Sequence, residues 1–189
     1  RPDFLVASGS LSPGLGDDFY EKVAAISHKI GSKLIVDTSG VPLERAMDEG
    51  VFLLKPNVGE LAKLVKKESL EINEVDDAAR EIISKGKCEV VVVSMGPQGA
   101  VLVTKDICEH IPAPPVQKKS TVGAGDSMVG GMVWALAEGK ELSEMLRWGV
   151  ACGSAATMNE GTQLFKKEDA LKLLKWLNTY GEKYQIRNL

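Results

Sequence analysis

KLIVDTSGVPLERAMDEGVFLLK, residues Lys33–Lys55, holds two apolar runs of strand length around one short amphipathic segment. Lys33 to Asp37 and Val51 to Lys55 read as buried strands, the second ended by Pro56, and Leu43 to Asp48 reads as a short helix between them. Toward the amino end, Phe4-Leu5-Val6-Ala7-Ser8 is another strand. Asp17-Asp18 opens a helix, with Phe19, Val23, Ile26 and Ile30 at helical spacing up to Gly31. Strand, helix, strand, helix, strand is the order of a parallel sheet with crossover helices.

The alternation continues toward the carboxyl end. One helix carries Leu61, Leu64 and Val65, and the next carries Val75, Ala78, Ala79, Ile82 and Ile83 before Gly86. Glu89 to Ser94 contains four consecutive valines and reads as a strand buried on both faces. Ser94 to Gly99 forms a turn, Ala100 to Thr104 returns as a hairpin partner, and Ile107 to Ile111 reads as an edge strand. Ala113-Pro114-Pro115 stiffens the connection to a helix whose apolar residues, Met128 to Leu136, cover nearly every side, which predicts burial all round. A small-residue-rich helix follows over Leu142 to Met158, with Ala151, Gly153, Ala155 and Ala156 permitting close packing, and Asn159 to Gln163 ends it. Ala170, Leu173, Leu174 and Leu177 define a closing amphipathic helix, and the tail after Tyr180 reads as loosely held. Trp134, Trp148 and Trp176 read as core residues.

The 189 residues suffice for one well-cored domain or for most of a larger one. A formal charge of −3 without a basic block speaks against a nucleic-acid surface, and no apolar run approaches a membrane span. Cys88, Cys108 and Cys152 form no C-x-x-C pair, which points to the cytoplasm, and with His28 and His110 they give little material for zinc. Arg1-Pro2-Asp3 runs straight into a strand without an initiator methionine, so the expectation is a fragment of a longer chain.

Chemistry-bearing residues gather at strand ends, where open α/β sheets bind ligands. Ser8-Gly9-Ser10 suits a hydroxylated or phosphorylated ligand, or is an ordinary turn. In Lys55-Pro56-Asn57-Val58-Gly59-Glu60, Asn57 and Glu60 have capping-box spacing; alternatively they hold a hydrated, nucleotide-borne Mg²⁺ while Lys55 faces phosphate. Gly96 and Gly99 serve a turn or let a nucleotide lie against the backbone. Lys119-Ser120-Thr121-Val122-Gly123-Ala124-Gly125-Asp126-Ser127 places two glycines ahead of a helix, where N–H groups converge on an anion. Asp126 would repel that anion unless it takes a proton from the attacking group; it also suits a helix N-terminus for dipole reasons alone.

Taken together, Ser120-Thr121-Val122-Gly123-Ala124-Gly125-Asp126, Lys55-Pro56-Asn57-x-x-Glu60, Ser94-x-Gly96-x-x-Gly99 and Asn159-x-Gly161-Thr162 resemble the ribokinase-type (PfkB) carbohydrate kinases. Within that family the wording of these motifs is most similar to bacterial type II 6-phosphofructokinases. The resemblance implies a ribokinase-like three-layer α/β/α fold, with a mostly parallel sheet, a terminal antiparallel hairpin and the lid absent. Residues 1–189 would be the carboxyl-terminal part of the kinase domain, carrying nucleotide binding and the catalytic base. It further implies ATP-dependent phosphorylation of the C1 hydroxyl of a sugar phosphate, foremost fructose 6-phosphate, with tagatose-6-phosphate or 1-phosphofructokinase activity as alternatives. A catalytically incompetent nucleotide-binding fragment is the alternative of another class.

By the same resemblance Asp126 is the general base, and Gly123, Ala124 and Gly125 form the anion hole. Lys55, Asn57, Ser94, Gly96, Gly99, Lys118 and Ser154 line the ATP site, and Ser8 touches the sugar phosphate. Asn57 and Glu60 order Mg²⁺ and its waters. K⁺ lies near carbonyls of Ser120, Val122, Ala156, Asn159 and Gly161, with Gln163 beside them. The full-length protein is expected to be a homodimer, with neither nucleic acid nor membrane as partner.

Overall fold

The computed structural model describes residues 1–180. Two compact units divide the chain, Arg1–Ser94 with Val101–Cys108, and Met95–Ala100 with the residues from Glu109 onward.

The first unit is built on strands β1 (Phe4–Ser8), β2 (Lys33–Asp37), β3 (Val51–Leu54) and β4 (Cys88–Ser94). Neighbouring strands run parallel, with Ser8 opposite Asp37, Val36 opposite Leu54 and Leu54 opposite Val91. This register brings the carboxyl ends of all four strands to one edge. Helices α1 (Phe19–Ile30), α2 (Val41–Glu49), α3 (Val58–Leu64) and α4 (Val75–Ser84) provide the crossovers. Leu34, Ile35, Val36, Leu53, Leu54 and Val90 to Val93 are buried, which explains why these strands read as unbroken apolar runs.

Strands β5 (Ala100–Val103) and β6 (Cys108–Ile111) complete the hydrogen-bonded order β1-β2-β3-β4-β5-β6. The links after β4 and β5 are far too short for crossovers, so both are antiparallel hairpins. Met95 N–H donates to the Gly99 carbonyl at 2.8 Å, and Thr104 N–H donates to the Ile107 carbonyl at 2.8 Å. Gly99 has φ 90°, and a Cβ there would lie 2.0 Å from the Ile111 carbonyl oxygen, so the turn admits only glycine.

Helix α1 departs from the expected stripe. Phe19 is 39% and Ile26 54% exposed, and the buried side is Tyr20, Ala24 and Ser27. Counting apolar residues selects the wrong face here because the inward face is made of small or hydroxyl-tipped residues whose polar atoms are satisfied by backbone carbonyls. Ser27 Oγ donates to the Ala24 carbonyl at 2.8 Å, and the Tyr20 hydroxyl donates to backbone carbonyls at the end of β1.

The second unit is helical, with α5 (Ala124–Ala137), α6 (Leu142–Thr157) and α7 (Lys167–Tyr180). Helices α5 and α6 approach closely enough that a Cβ on Gly131 would stand 2.8 Å from the Trp148 carbonyl oxygen. Cys152, Ala155 and Ala170 form a core cluster against Trp148, Phe165 and Leu173. Burial of α5 on nearly every side is not observed: Trp134 is 45% exposed. Its ring centroid lies 4.3 Å from that of Trp148, so the two indoles cover each other. Trp148 and Trp176 are half-buried, and none of the three tryptophans is a core residue. The tail after Tyr180 lies outside the described residues.

Candidate functional site

In the first unit the candidate site occupies the carboxyl edge of β1 to β4. The N–H of Lys55, just past β3, donates to the Val36 carbonyl at 3.1 Å, continuing the sheet pairing by one residue. Its side chain turns to β2, where Nζ stands 3.1 Å from Asp37 Oδ1; the side chains are 6% and 16% exposed. Lys55 is thus an anchored cation at the edge. The next turn of chain starts α3, and here the capping box is real. Asn57 Oδ1 accepts from the Glu60 N–H at 2.9 Å, and Glu60 Oε2 accepts from the Asn57 N–H at 2.8 Å.

Ser94 joins this group through the backbone: its N–H donates to the Pro56 carbonyl at 3.0 Å, and Asn57 and Ser94 form a parallel bridge. Lys55, Asn57, Glu60 and Ser94 therefore share one corner, with Ser8 two strands away on the same edge. Gly96 and Gly99 belong to the second unit, the first opening and the second capping a single 3-10 turn, with φ of 58° and 90°.

Tyr20, Asp37 and Thr38 were not marked as site residues by the sequence. The Tyr20 hydroxyl donates to the carbonyls of Ser8 at 3.2 Å and Gly9 at 3.0 Å, and Thr38 Oγ1 donates to the Gly9 carbonyl at 2.8 Å. Burial, and then the negative charge of Asp37, push the Tyr20 hydroxyl above its ordinary pKa, so it stays a donor. The available signal was an acidic residue closing an apolar strand, the same position at which Ser8 closes β1.

In the second unit the motif folds as a helix start. Gly123 is the N-cap with φ 75°, and α5 begins at Ala124, so Gly125 and Asp126 lie inside the first turn and not ahead of it. Ser127 N–H closes the first helical bond onto the Gly123 carbonyl at 2.9 Å. First-turn N–H groups have no acceptor within their helix, and a helix end of this kind suits a compact anion; the Ala124 N–H donates to the Thr121 carbonyl at 3.3 Å. Asp126 is exposed at that same end.

The loop before α5 is fixed by hydrogen bonds. Lys119 and Ser120 N–H groups donate to the Thr157 carbonyl at 2.7 and 3.2 Å. Ser120 Oγ donates to the Gly161 carbonyl at 2.9 Å and accepts from the Val122 N–H at 3.2 Å. The turn after α6 is tied by Asn159, whose N–H donates to the Ala156 carbonyl at 3.2 Å, while Nδ2 reaches the Ala155 and Leu164 carbonyls, each at 3.2 Å. Ser120, Val122 and Gly161 are brought together, with Ala156 and Asn159 in the adjoining turn; Gln163 joins only through its N–H on the Glu160 carbonyl at 3.3 Å. Lys118 is exposed, and Ser154 is half-buried in α6.

These donor sets fit the implied cations in different ways. Among the described residues no group of three or more His, Cys, Asp or Glu side chains could hold a metal, so these residues offer no carboxylate cage. A hydrated Mg²⁺ needs none, and Glu60 beside Asn57 suits water-mediated contact. For K⁺, hard backbone oxygens from Ser120, Val122, Ala156, Asn159 and Gly161 are the appropriate donor type.

Comparison with known proteins gives the class of protein. The chain belongs to the pfkB family of carbohydrate kinases, whose family model matches residues 1–169. It is 47% identical over 175 residues to the ATP-dependent 6-phosphofructokinase isozyme 2 of Escherichia coli K12, covering 92% of this chain and 57% of the relative. It is 36% identical over 178 residues to a 1-phosphofructokinase of Borreliella burgdorferi, covering 90% of this chain and 54% of the relative. The crystal structure of phosphofructokinase-2 from Escherichia coli in complex with potassium superimposes with a TM-score of 0.88 at 46% identity, covering 93% of this chain and 57% of that one. The fold is ribokinase-like. The chain spans about half the length of the curated relatives it matches, 57% in one case and 49% in another.

Proposed function

We propose that this chain is the nucleotide-binding and catalytic-base portion of an ATP-dependent kinase that phosphorylates the C1 hydroxyl of fructose 6-phosphate. The observation that carries the reading is the start of α5, where Asp126 and the first-turn amides occupy one helix end. In the reaction, the Asp126 carboxylate takes the proton as the sugar O–H bond breaks. The alkoxide oxygen forms a bond to the γ-phosphorus, and the bond to the ADP oxygen breaks. The amides of Gly123 to Gly125 hold the transferring phosphoryl charge. Lys55, Ser94, Gly96, Gly99, Lys118 and Ser154 are assigned to ATP, and Ser8 to the sugar phosphate.

When bound, Mg²⁺ neutralises phosphate charge, with Asn57 and Glu60 ordering its waters. K⁺ is assigned to the carbonyls of Ser120, Val122, Ala156, Asn159 and Gly161, the family neighbour solved with potassium supporting that choice. The similarity to a 1-phosphofructokinase favours fructose 1-phosphate as the second acceptor. A panel of fructose 6-phosphate, tagatose 6-phosphate and fructose 1-phosphate, offered with MgATP to the full-length polypeptide carrying this chain, decides between them. The expected product is fructose 1,6-bisphosphate from fructose 6-phosphate at the highest kcat/KM, identified by phosphorus NMR. A higher kcat/KM for either other acceptor overturns the substrate assignment.

A further inference from the structure

With Ser8 assigned to the sugar phosphate, as proposed above, the way its turn is held becomes a question of specificity. Gly9 is exposed at φ 93°, and a Cβ there would meet nothing within 4 Å, so packing does not fix the turn. Hydrogen bonds do. The Gly9 N–H donates to the Asp37 carbonyl at 2.9 Å. The Gly9 carbonyl accepts from Thr38 Oγ1 at 2.8 Å and from the Tyr20 hydroxyl at 3.0 Å, and the latter is shared with the Ser8 carbonyl at 3.2 Å.

Both donors are themselves immobilised. Tyr20 is 6% and Thr38 9% exposed, the first on α1 and the second directly after β2. A buried hydroxyl that lost its acceptor would be costly, so each donor holds the carbonyl as firmly as the carbonyl holds it. Two elements remote in sequence therefore converge on one carbonyl of an exposed turn.

We propose that Tyr20 and Thr38 are positioning residues for the acceptor: their hydroxyls clamp the Gly9 carbonyl and so fix the direction from which Ser8 meets a phosphorylated sugar. The clamp acts on the sugar-phosphate side alone, since neither hydroxyl bonds Lys55, Asn57 or Ser94. Removing it leaves the turn only the Gly9 N–H bond to the Asp37 carbonyl, while Asp126, Lys55, Asn57 and Ser94 keep their own side chains.

The test uses the full-length polypeptide with fructose 6-phosphate and ATP varied separately. Tyr20→Phe/Thr38→Val keeps the ring and the branched volume and should raise KM for the sugar phosphate about tenfold, with kcat and KM for ATP within about twofold, as expected for two lost hydrogen bonds. Thr38→Val alone should give about threefold and serves if the double variant does not fold, and Thr38→Ser should restore parental values. An unchanged sugar-phosphate KM in the double variant overturns the clamp, and so does an equal rise in both KM values, which marks a merely structural role. Ser8→Ala separates this from the assignment beneath it. If Ser8→Ala raises the sugar-phosphate KM and the hydroxyl variants do not, the clamp alone is wrong. If Ser8→Ala is also silent, the placement of the sugar phosphate at this turn is wrong and the clamp falls with it.

Discussion

Lys55→Met preserves most of the side-chain stem and deletes the ammonium that stands 3.1 Å from Asp37 Oδ1. At that separation two unit charges attract by about 5 kcal/mol at an effective dielectric near 20. Desolvation of both ions offsets much of this, because Lys55 is 6% and Asp37 16% exposed. Removing one partner is costly in a different way, since the other charge then stays half-enclosed without its counter-ion. Lys55→Met should therefore cost about 3 kcal/mol, and Asp37→Asn a similar amount. The double variant should cost less than the sum, with a coupling of about 2 kcal/mol. Urea unfolding of the full-length polypeptide at neutral pH, at constant m-value, reads all four corners of the cycle. Additivity within about 0.5 kcal/mol would refute the claim that Asp37 anchors Lys55.

Gly99→Ala places a Cβ 2.0 Å from the Ile111 carbonyl oxygen at φ 90°. Backbone atoms there cannot rotate aside, so the expected outcome is a loss above about 3 kcal/mol, read as a depressed thermal midpoint; a parental midpoint contradicts it. Glu60→Gln keeps an oxygen for the Asn57 N–H while removing the charge. Stability should stay within about 1 kcal/mol while the Mg²⁺ concentration for half-maximal turnover rises severalfold, whereas Asn57→Ala should cost about 1 kcal/mol through the lost cap. The Cys88 thiol, pushed up from 9.0 to about 12 by burial and then by the charge of Glu89, binds its proton more tightly folded than unfolded. Its contribution is complete below pH 9 and is lost as pH rises toward about 12, so Cys88→Ala should flatten the fall of stability with pH above 9; an unchanged slope contradicts this.

Strands β2 to β4 were legible because burial on both faces forces unbroken apolar runs, as at Val90 to Val93, whereas β1 reads as apolar although Val6 is 42% exposed. Asn57 and Glu60 were legible as a box because cap and third residue must be polar whatever else they do. Helix faces were less so. Tyr20, Ala24 and Ser27 carry no apolar periodicity, yet they face inward because Ala24 is small, Ser27 finds an acceptor one turn back and Tyr20 finds one at the end of β1. The start of α5 was misjudged by two residues because a glycine at φ 75° can stand either in the loop or at the cap, and composition does not say which. The clamp on Gly9 was out of reach altogether: it joins residues 11 and 29 positions apart through one carbonyl, which leaves no pattern along the chain.

The central claim concerns one proton. Asp126→Asn keeps the shape of the first turn of α5 and removes the base, so kcat for fructose 6-phosphate phosphorylation by the full-length polypeptide should fall roughly a hundredfold to ten-thousandfold. Equilibrium binding of ATP should stay within about twofold, because the first-turn amides remain in place. Turnover within about tenfold of the parent, with ATP binding intact, would contradict the assignment of Asp126 as the general base.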